Sequence, residues 1–281
     1  MTSPSDVFQR SFGDPTAARA GAVMLHGLGE HSGRHAPHLA LCAKHGIYCR
    51  AFDWPGHGQS PGQRGHIGSM ATMTKLLMTK MEALRNDIGP NKQIGLFGHS
   101  MGGFIALYHL AKYPDLADFT WIGSTLIDPE TNASPLKRRL ARLLHAVCPR
   151  FPIKSGIRSS QCRPGPDKRR DPLMHKCITV RLGIILLEAA RELQTISNKI
   201  NPNLRMLMTH GGADPICSPL LAQTFFERLV VKAKTFRLLE DVLHEPFHAE
   251  TRNDFHATLE QWIEHELSPH LDKRSFAKSA I

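Results

Sequence analysis

The 281-residue sequence predicts an α/β fold with a mostly parallel central sheet flanked by helices. Short apolar runs alternate along the chain with segments of helical pattern, as expected for parallel strands joined by helices. Several apolar runs end in clusters of glycine, histidine and aspartate, and in such sheets ligands bind beyond the carboxyl ends of the strands. The hydrophobic content of 41% is sufficient for a full core.

The first half of the chain contains three strand–helix units. An apolar run at residues 22–26 precedes a glycine-rich loop, and the run at 47–52 ends in a loop-forming cluster that begins at Asp53. The third strand, 94–97, is followed by a helix that ends before Pro114, because proline cannot continue a helix. The helices predicted in this half cover residues 36–45, 70–87 and 104–113.

The second half continues the alternation. A strand at 119–127 precedes a basic segment, and a strand at 204–209 leads into the sequence His-Gly-Gly-Ala-Asp. A last strand is predicted at residues 234–239, and helices at residues 219–231 and 250–267.

A G-x-S-x-G turn, Gly98-His99-Ser100-Met101-Gly102, lies between the third predicted strand and its helix. A strand that turns into a helix within a few residues strains its central residue. Glycines two positions away on either side keep Cβ atoms out of the crowded backbone, and the serine oxygen is left exposed. This context predicts a nucleophile elbow with Ser100 as the nucleophile.

A serine hydroxyl needs a general base, and the base needs an orienting carboxylate. In this architecture the acid follows the serine along the chain and the histidine comes last. Asp214 directly follows a late strand and is the candidate acid, with Asp128 as its rival. His244 lies in the loop between the last strand and the last helix and is the candidate base. His248 and His256 are alternatives that fall where this helix begins or continues.

Attack on a carbonyl group also needs donors aimed at the developing oxyanion. The backbone N–H of Met101, next to the nucleophile, is one candidate. The other is the N–H of Leu28, in the His26-Gly27-Leu28-Gly29 loop after the first strand. A plain glycine turn is the alternative interpretation of this loop, but its position at the carboxyl end of a strand favours a functional role.

Composition bears on the location of the protein. No run of 18 apolar residues occurs, and the polar N-terminus lacks the apolar segment of a signal peptide. The six cysteines form no C-x-x-C pair, which favours reduced thiols. These observations predict a cytoplasmic protein without a membrane-spanning helix.

The net charge of +10 is concentrated in one segment. Residues 126–195 hold 14 Lys and Arg against six Asp and Glu, a surplus of +8, whereas the other 211 residues hold 21 against 19. This asymmetry predicts an inserted basic helical cap at residues 126–195. The α/β core would then consist of residues 1–125 and 196–281.

The start of the cap predicts an amphipathic helix. Its apolar face consists of Leu136, Leu140, Leu143, Leu144 and Val147, and its basic face of Lys137, Arg138, Arg139, Arg142 and His145. A basic amphipathic helix is typical of membrane surfaces, so peripheral contact with an anionic membrane is expected. In the alternative interpretation the apolar face roofs the substrate pocket and the basic face is merely solvated. Nucleic acid is not an expected partner, because no binding motif accompanies the charge.

The sequence resembles the α/β-hydrolase superfamily, and within it the branch of monoacylglycerol lipases, lysophospholipases and serine aminopeptidase S33-type hydrolases. The matching stretches cover about residues 20–265 in the same order, and the first is specific to this branch. They are residues 26–34 (HGLGEHSGR), 53–60 (DWPGHGQS), 98–103 (GHSMGG), 171–173 (DPL), 211–214 (GGAD) and 244–245 (HE). The resemblance implies Ser100 as nucleophile, Asp214 as acid and His244 as base, with the Leu28 and Met101 amides as the oxyanion hole.

The chain departs from this branch in three places. His35 stands where the branch usually has an aromatic residue. Glu240-Asp241-Val242 replaces a glycine-containing turn, and this acidic pair can alter the environment of the histidine or the shape of its loop. The stretch at residues 248–250, His-Ala-Glu, replaces the usual Asn-Glu.

These features predict a serine hydrolase of carboxylic esters that forms an acyl-enzyme and needs no cofactor or metal. The expected substrate is a small lipid ester, a monoacylglycerol or a lysophospholipid. A peptidase or thioesterase shares the acyl-enzyme chemistry and stays open. A non-catalytic ligand-binding relative is a further alternative, although such proteins usually lose part of the triad, which this chain retains.

A zinc site is a rival interpretation of residues 244–248, His-Glu-Pro-Phe-His, which fit the pattern H-E-x-x-H. That chemistry needs both histidines one turn apart on a continuous helix. Pro246 interrupts such a helix, so the zinc interpretation is disfavoured.

Overall fold

The computed structural model describes residues 6–127, 135–164, 171–248, 251–273 and 276. Its centre is a seven-stranded sheet with the strand order β1-β3-β2-β4-β5-β8-β9. Among the described strands of this sheet, β1 pairs antiparallel with β3, and the other pairings are parallel. The strands are β1 (Gln9–Phe12), β2 (Ala20–Leu25), β3 (Ile47–Phe52), β4 (Gln93–His99), β5 (Phe119–Gly123), β6 (Pro152–Lys154), β7 (Cys177–Thr179), β8 (Arg205–Gly211) and β9 (Ala233–Leu239).

Helices cover both faces of the sheet. They are α1 (Ala36–Lys44), α2 (Met70–Ile88), α3 (Met101–Lys112), α4 (Pro135–Val147), α5 (Ser159–Cys162), α6 (Val180–Ile196), α7 (Pro219–Arg228) and α8 (Arg252–Trp262). Helices α2, α3, α6 and α7 contribute to one apolar cluster, and α1 and α8 contribute to the other. Strands enclosed on both faces need buried side chains at every position, as β2 and β4 have. The predicted fold class is therefore confirmed.

Two details of the sheet differ from the sequence prediction. Strand β5 ends at Gly123 rather than at residue 127, because Ser124 has a positive φ of 40° and leaves the sheet. Strand β1 has no apolar signature, since its side chains at the sheet edge are exposed or half-buried. An edge strand of this kind is specified by its pairing with β3 rather than by its own hydrophobic pattern.

The chain between β5 and β8 contributes α4, α5, α6 and a two-stranded antiparallel sheet of β6 and β7. Helix α6 packs against α3 and buries Leu182, Leu186 and Leu193 in the core cluster. The last helix of the predicted cap therefore shares the core of the sheet. The cap boundaries at residues 126–195 stay a prediction.

Two backbone hydrogen bonds attach this segment to the loops that follow β2 and β9. The N–H of His175 donates to the carbonyl oxygen of Gly29 at 2.9 Å. The N–H of Glu245 donates to the carbonyl oxygen of Cys162 at 2.8 Å. The segment is thus anchored to the loops that carry the candidate oxyanion donor and the candidate base.

Buried histidines make the stability of the fold depend on pH. Burial lowers the pKa of His26, His35, His38, His57 and His109, because a charged ring loses its hydration. The pKa values of His26 and His109 fall to about 4. In the unfolded chain the same rings take up protons near a pH of about 6.5. The unfolded state is therefore increasingly favoured as the pH falls from about 6.5 toward the pKa values of these histidines in the folded state.

We expect the free energy of unfolding to fall between pH 7 and pH 5. A folded-state pKa of about 4 for His109, against about 6.5 when unfolded, corresponds to about 2 kcal/mol over this interval. Most carboxylates titrate below this window. Urea unfolding at both pH values measures the fall in unfolding free energy. In His109→Gln this fall should be smaller by about 2 kcal/mol. Equal unfolding free energies at the two pH values would contradict the prediction.

Candidate active site

Ser100 occupies the sharp turn between β4 and α3. Its backbone has φ 54° and ψ −119°, which is strained for a residue with a side chain. A Cβ atom on Gly98 would collide with the carbonyl group of Gly102, and a Cβ atom on Gly102 would collide with the carbonyl oxygen of Leu25. Steric crowding thus explains both glycines, and the turn has the geometry of a nucleophile elbow.

The side chains of Ser100, His244 and Asp214 form a continuous hydrogen-bonded chain. Nδ1 of His244 lies 2.7 Å from Oδ2 of Asp214, and Nε2 of His244 lies 2.9 Å from Oγ of Ser100. An ionised carboxylate can only accept, so Nδ1 of the neutral imidazole carries the proton and Nε2 accepts the serine proton. The structure therefore brings the predicted nucleophile, base and acid together in the arrangement that general base catalysis needs.

Asp214 is fixed in the loop that follows β8. Its Oδ1 accepts backbone N–H groups from Ile216 at 2.8 Å and from Cys217 at 3.1 Å. Burial alone would raise the pKa of this carboxyl group, but hydrogen bonds from His210 and His244 outweigh burial and hold the pKa well below its usual range. Asp214 is therefore ionised at neutral pH and can stabilise positive charge on the imidazole.

The alternative site residues have different positions. Asp128 lies outside the described residues. His256 is on α8, where its ring contacts those of His38 and Phe255. Residues 244–248 form turns rather than a helix. His244 and His248 are therefore not presented one helical turn apart, as the zinc motif requires.

The loop after β2 lies beside the candidate nucleophile. Leu28 lines the same cleft as Ser100, and a Cβ atom on Gly27 would stand 3.0 Å from the Cβ atom of Ser100. Met101 is the first residue of α3, and the first N–H groups of a helix have no partner within it. Leu28 and Met101 thus both belong to the surroundings of Ser100, and the assignment of their amides to an oxyanion hole stays a prediction.

A buried ion pair connects two loops of the site. One is the loop after β2 that carries Gly27 and Leu28, here called the oxyanion loop, and the other is the loop after β9 that carries His244, here called the histidine loop. Oε1 of Glu30 accepts the N–H of Gly27 at 2.5 Å and lies 3.0 Å from Nδ1 of His99. Nε2 of His99 lies 3.1 Å from the carbonyl oxygen of His244. Both partners of His99 are acceptors, so both ring nitrogens carry protons and the ring is an imidazolium. Burial lowers the pKa of His99, but the charge of Glu30 raises it, and the net effect is a raised pKa.

Glu245, the residue after the candidate base, is paired with Arg34. Arg34 donates from Nη1 to Oε1 at 2.8 Å and from Nη2 to Oε2 at 2.6 Å. Burial raises the pKa of Glu245, and the hydrogen bonds from Arg34 lower it more, so the net pKa is below its usual value. Sequence reasoning assigns neither residue a role. The sequence signal that could have indicated this pair is Glu245 itself, a charged residue directly after the candidate base His244.

Two departures from the family pattern keep the local structure. The ring of His35 packs on Phe247 with centroids 4.8 Å apart, and its Nε2 lies 3.3 Å from Oε1 of Glu30. It therefore retains an aromatic contact and adds a hydrogen bond. Asp241 has φ 56°, a conformation that favours glycine, and Glu240 beside it is exposed. The acidic turn thus has the backbone shape that a glycine would supply.

Two buried clusters bring three potential metal ligands within 4.8 Å of one another. They are Glu30 with His35 and His99, and Asp214 with Cys217 and His244. In the first cluster both ring nitrogens of His99 already have hydrogen-bond acceptors, Glu30 and the carbonyl oxygen of His244. In the second, a metal would occupy the carboxylate and imidazole that the serine needs. Hydrogen bonding therefore accounts for both clusters.

A cleft of about 560 Å³, open to solvent, lies over the candidate nucleophile and base. The core contributes Gly27, Leu28, Glu30, His99, Ser100, His244 and Glu245 to its lining. The segment between β5 and β8 contributes Ser155, Ile157, Ser159, Cys162, Arg163, Met174, His175 and Lys176. A substrate therefore reaches the serine between the core and this segment.

Comparison with known proteins gives a family match over most of the chain. The serine aminopeptidase S33 family matches residues 16–251. The chain is 29% identical over 262 residues to monoglyceride lipase from Homo sapiens, covering 89% of this chain and 84% of that protein. It is 30% identical over 254 residues to an uncharacterised abhydrolase domain-containing protein from Dictyostelium discoideum. That match covers 88% of this chain and spans about a quarter of the relative, 26%.

Solved structures show the same fold. The crystal structure of Paleococcus ferrophilus monoacylglycerol lipase matches with a TM-score of 0.81 and 31% identity, covering 92% of this chain and 98% of that chain. A soluble variant of monoglyceride lipase from Saccharomyces cerevisiae matches with a TM-score of 0.77 and 18% identity, covering 91% and 90% of the two chains.

The fold and the site define an α/β-hydrolase. The chain belongs to the serine aminopeptidase S33 family, and the predicted family resemblance is confirmed. The protein is a carboxylic ester hydrolase, as the sequence predicts.

A double-mutant cycle tests the ion pair of Glu30 and His99. Glu30→Gln leaves a buried imidazolium without its 3.0 Å counter-ion, and His99→Asn leaves the buried Glu30 carboxylate with Arg34, 3.4 Å away, as its remaining cation. Each single substitution should therefore cost about 3 kcal/mol of unfolding free energy or more. The double substitution leaves two neutral groups. It should therefore cost clearly less unfolding free energy than the two single substitutions cost when added together. Urea unfolding of the four proteins measures the coupling, and additive costs would refute the ion pair.

Proposed function

We propose that this ester hydrolase acts on monoacylglycerols or lysophospholipids, with Ser100 as nucleophile, His244 as base and Asp214 as acid. The hydrogen-bonded chain of 2.7 Å and 2.9 Å that ends at the serine oxygen is the main support for this proposal. The names of the relatives support a lipid ester as the substrate. They include monoglyceride lipases and a phospholipase from Bacillus subtilis, 22% identical over 238 residues.

In the proposed mechanism, Oγ of Ser100 attacks the ester carbonyl carbon while Nε2 of His244 takes the serine proton. The N–H groups of Leu28 and Met101 donate to the oxyanion. His244 then passes the proton to the alcohol oxygen as the bond between that oxygen and the acyl carbon breaks. Water, deprotonated by His244, attacks the acyl-enzyme, and the fatty acid leaves as the serine regains its proton. Asp214 holds the imidazole in the required tautomer.

Two alternative functions remain distinguishable by assay. A peptidase or thioesterase would cleave an amide or thioester of the same acyl chain through the same steps. A non-catalytic ligand-binding relative would turn over none of the three substrates. The short contact between the serine oxygen and His244 favours a catalytic protein.

Ser100→Ala should abolish the release of fatty acid from a monoacylglycerol, with kcat falling roughly 10⁵- to 10⁶-fold because the nucleophile is lost. Ser69→Ala, which removes a serine at the start of α2 that does not line the cleft, serves as the matched control. Titration of released fatty acid measures both. Turnover that survives in Ser100→Ala would rule out this serine as the nucleophile.

We also propose that α4 docks the protein on anionic membranes. Leu140, Leu143 and Val147 are 56%, 61% and 86% exposed, and Arg139 and Arg142 are exposed beside them. This exposure favours a surface contact over the alternative in which the apolar face roofs the pocket. The side chains of residues 136–138 lie outside the described part of the chain. An exposed apolar stripe flanked by arginines suits the boundary of an anionic bilayer.

The contact would be peripheral. No helix among the described residues is long and apolar enough to cross a membrane. All six cysteines are free, which supports a cytoplasmic location for the proposed contact, because disulfides are rare in reducing compartments.

Wild-type protein should sediment with vesicles that contain an anionic phospholipid and much less with neutral phosphatidylcholine vesicles. The double variant Arg139→Gln, Arg142→Gln should bind the anionic vesicles roughly tenfold more weakly or worse, since each basic residue near the surface contributes about 1 kcal/mol. The double variant Lys232→Gln, Arg237→Gln removes the same charge from exposed positions near β9 and is the control. Equal sedimentation with neutral and anionic vesicles would refute the proposal.

A further inference from the structure

A second histidine contacts the carboxylate of Asp214, and the proposed mechanism gives this histidine no role. Nε2 of His210, on β8, lies 3.3 Å from Oδ2 of Asp214. The same oxygen lies 2.7 Å from Nδ1 of His244. The side chains of His210 and Asp214 are both fully buried. One carboxylate oxygen therefore faces two imidazole rings, that of the candidate base and that of His210.

Nε2 of His210 carries a proton. It lies 2.9 Å from the carbonyl oxygen of Cys217 as well as 3.3 Å from the carboxylate, and both of these groups are acceptors. One N–H is thus shared between the side chain of Asp214 and the backbone three residues later. The N–H of Cys217 in turn donates to Oδ1 of Asp214 at 3.1 Å. The ring of His210 therefore holds both the carboxylate and the loop that carries it.

The other ring nitrogen indicates that packing alone does not explain a histidine at this position. Nδ1 of His210 is buried, and the described part of the chain offers it no hydrogen-bond partner. A buried polar atom without a partner costs free energy, which an apolar side chain of similar volume would avoid. The described contacts that favour histidine here are therefore those of Nε2.

Donation to Oδ2 changes the charge that the carboxylate presents to His244. Burial raises the pKa of Asp214, and the hydrogen bonds from His210 and His244 lower it more. An N–H group directs the positive end of its dipole at the oxygen that it faces, so His210 engages part of the negative charge on Oδ2. The rest of this charge stabilises the imidazolium that forms when His244 takes the serine proton.

We propose that His210 is a positioning residue of the hydrolysis, which acts through Asp214. It holds Oδ2 against Nδ1 of His244 and limits the negative charge that faces this ring. The proposal rests on the proposed function, in which Asp214 orients the base. His210 does not line the cleft, so its removal should lower kcat and leave KM nearly unchanged.

Two amide substitutions separate the donor at Nε2 from the rest of the ring. The side-chain nitrogen of glutamine falls near the position of Nε2, whereas that of asparagine falls near the position of Nδ1. In His210→Asn we expect kcat for ester hydrolysis to fall roughly tenfold, because a misplaced carboxylate misplaces the base. His210→Gln should keep at least about a third of the wild-type kcat. Equal kcat values in these two variants would overturn the proposal.

His210→Leu is a second variant without the donor. Its side chain has nearly the volume of the ring and leaves no polar atom, so it should lower kcat as His210→Asn does. Urea unfolding checks that each variant is folded under the assay conditions. Wild-type kcat in folded His210→Leu would contradict the proposal.

The pH profile of kcat/KM gives a readout that a purely structural role would not move. Activity falls on the acid side because a protonated His244 cannot accept the serine proton. Without the N–H of His210, more of the charge on Oδ2 faces His244 and favours the protonated ring. The acid limb should therefore move to higher pH by about half a unit in His210→Asn and His210→Leu, and stay in place in His210→Gln. An acid limb that stays in place or moves to lower pH in the first two variants would exclude this role.

Other titratable groups around the carboxylate and the imidazole are the same in all these variants. They are Ser100 at the elbow, His99 with its ring centroid 5.0 Å from that of His244, Cys217 with its sulfur within 4.8 Å of an oxygen of Asp214 and a nitrogen of His244, and Glu245 beside His244. Burial raises the pKa of the Cys217 thiol, and Glu245 is paired with Arg34. A shift between variants is therefore assigned to position 210.

His109→Asn is the matched control. His109 is another fully buried histidine, lies on α3 and does not line the cleft. Its substitution should lower the unfolding free energy but leave kcat within about twofold of the wild type and the acid limb in place. The same shift of the acid limb in His109→Asn would assign the effect to the loss of any buried histidine and refute the proposal.

Asp214→Asn tests whether His210 acts through the carboxylate. This substitution alone should lower kcat about 10⁴-fold, as expected for a triad that loses its acid. Adding His210→Asn should lower kcat less than about twofold further, because the group through which His210 acts is already gone. A further tenfold fall would indicate an independent action of His210 and overturn the proposal.

The same assays distinguish failure of this inference from failure of the proposed function. Wild-type activity in Asp214→Asn, or no release of fatty acid by the folded wild type, would refute the proposed function. An inactive Asp214→Asn together with unchanged kcat and pH profile in His210→Asn and His210→Leu would refute only the role of His210.

Discussion

The ion pair of Glu30 and His99 holds together the two loops on which the site depends. The carboxylate receives the N–H of Gly27 in the oxyanion loop, and the imidazolium donates to the carbonyl oxygen of His244. A buried ion pair is tolerated only where its remaining donors and acceptors are also satisfied. Glu30 and His99 meet this condition by forming hydrogen bonds to backbone groups of the two loops. This charge pair, together with the pair of Arg34 and Glu245, therefore sets the position of the candidate base relative to the oxyanion loop.

Local signals were enough to predict the fold class and the candidate triad. The nucleophile turn could be recognised because its steric demands restrict positions 98 and 102 to glycine. The ion pairs could not be predicted, because their partners are distant in sequence. Glu30 and His99 are 69 residues apart, and Arg34 and Glu245 are 211 apart. Nor does helical spacing reveal what an apolar face contacts, so the outward exposure of Leu140 in α4 had to come from the structure.

The segment between β5 and β8 is connected to the site through backbone and side-chain bonds at both loops. His175 and Cys162 form the backbone contacts described above, and Nε2 of His31 lies 2.8 Å from Oδ2 of Asp171. Moving this segment away would break hydrogen bonds to the oxyanion loop and to the loop of the candidate base. These hydrogen bonds therefore join the segment that forms one wall of the cleft to the loops that carry the reacting groups.

Charge compensation around the serine is a requirement of the chemistry as well as of folding. Negative charge develops on the carbonyl oxygen as the serine attacks. One uncompensated carboxylate about 8 Å away would oppose this charge by roughly 2 kcal/mol at an effective dielectric constant of about 20, or about 30-fold in rate. Pairing Glu30 with His99 and Glu245 with Arg34 removes that opposition.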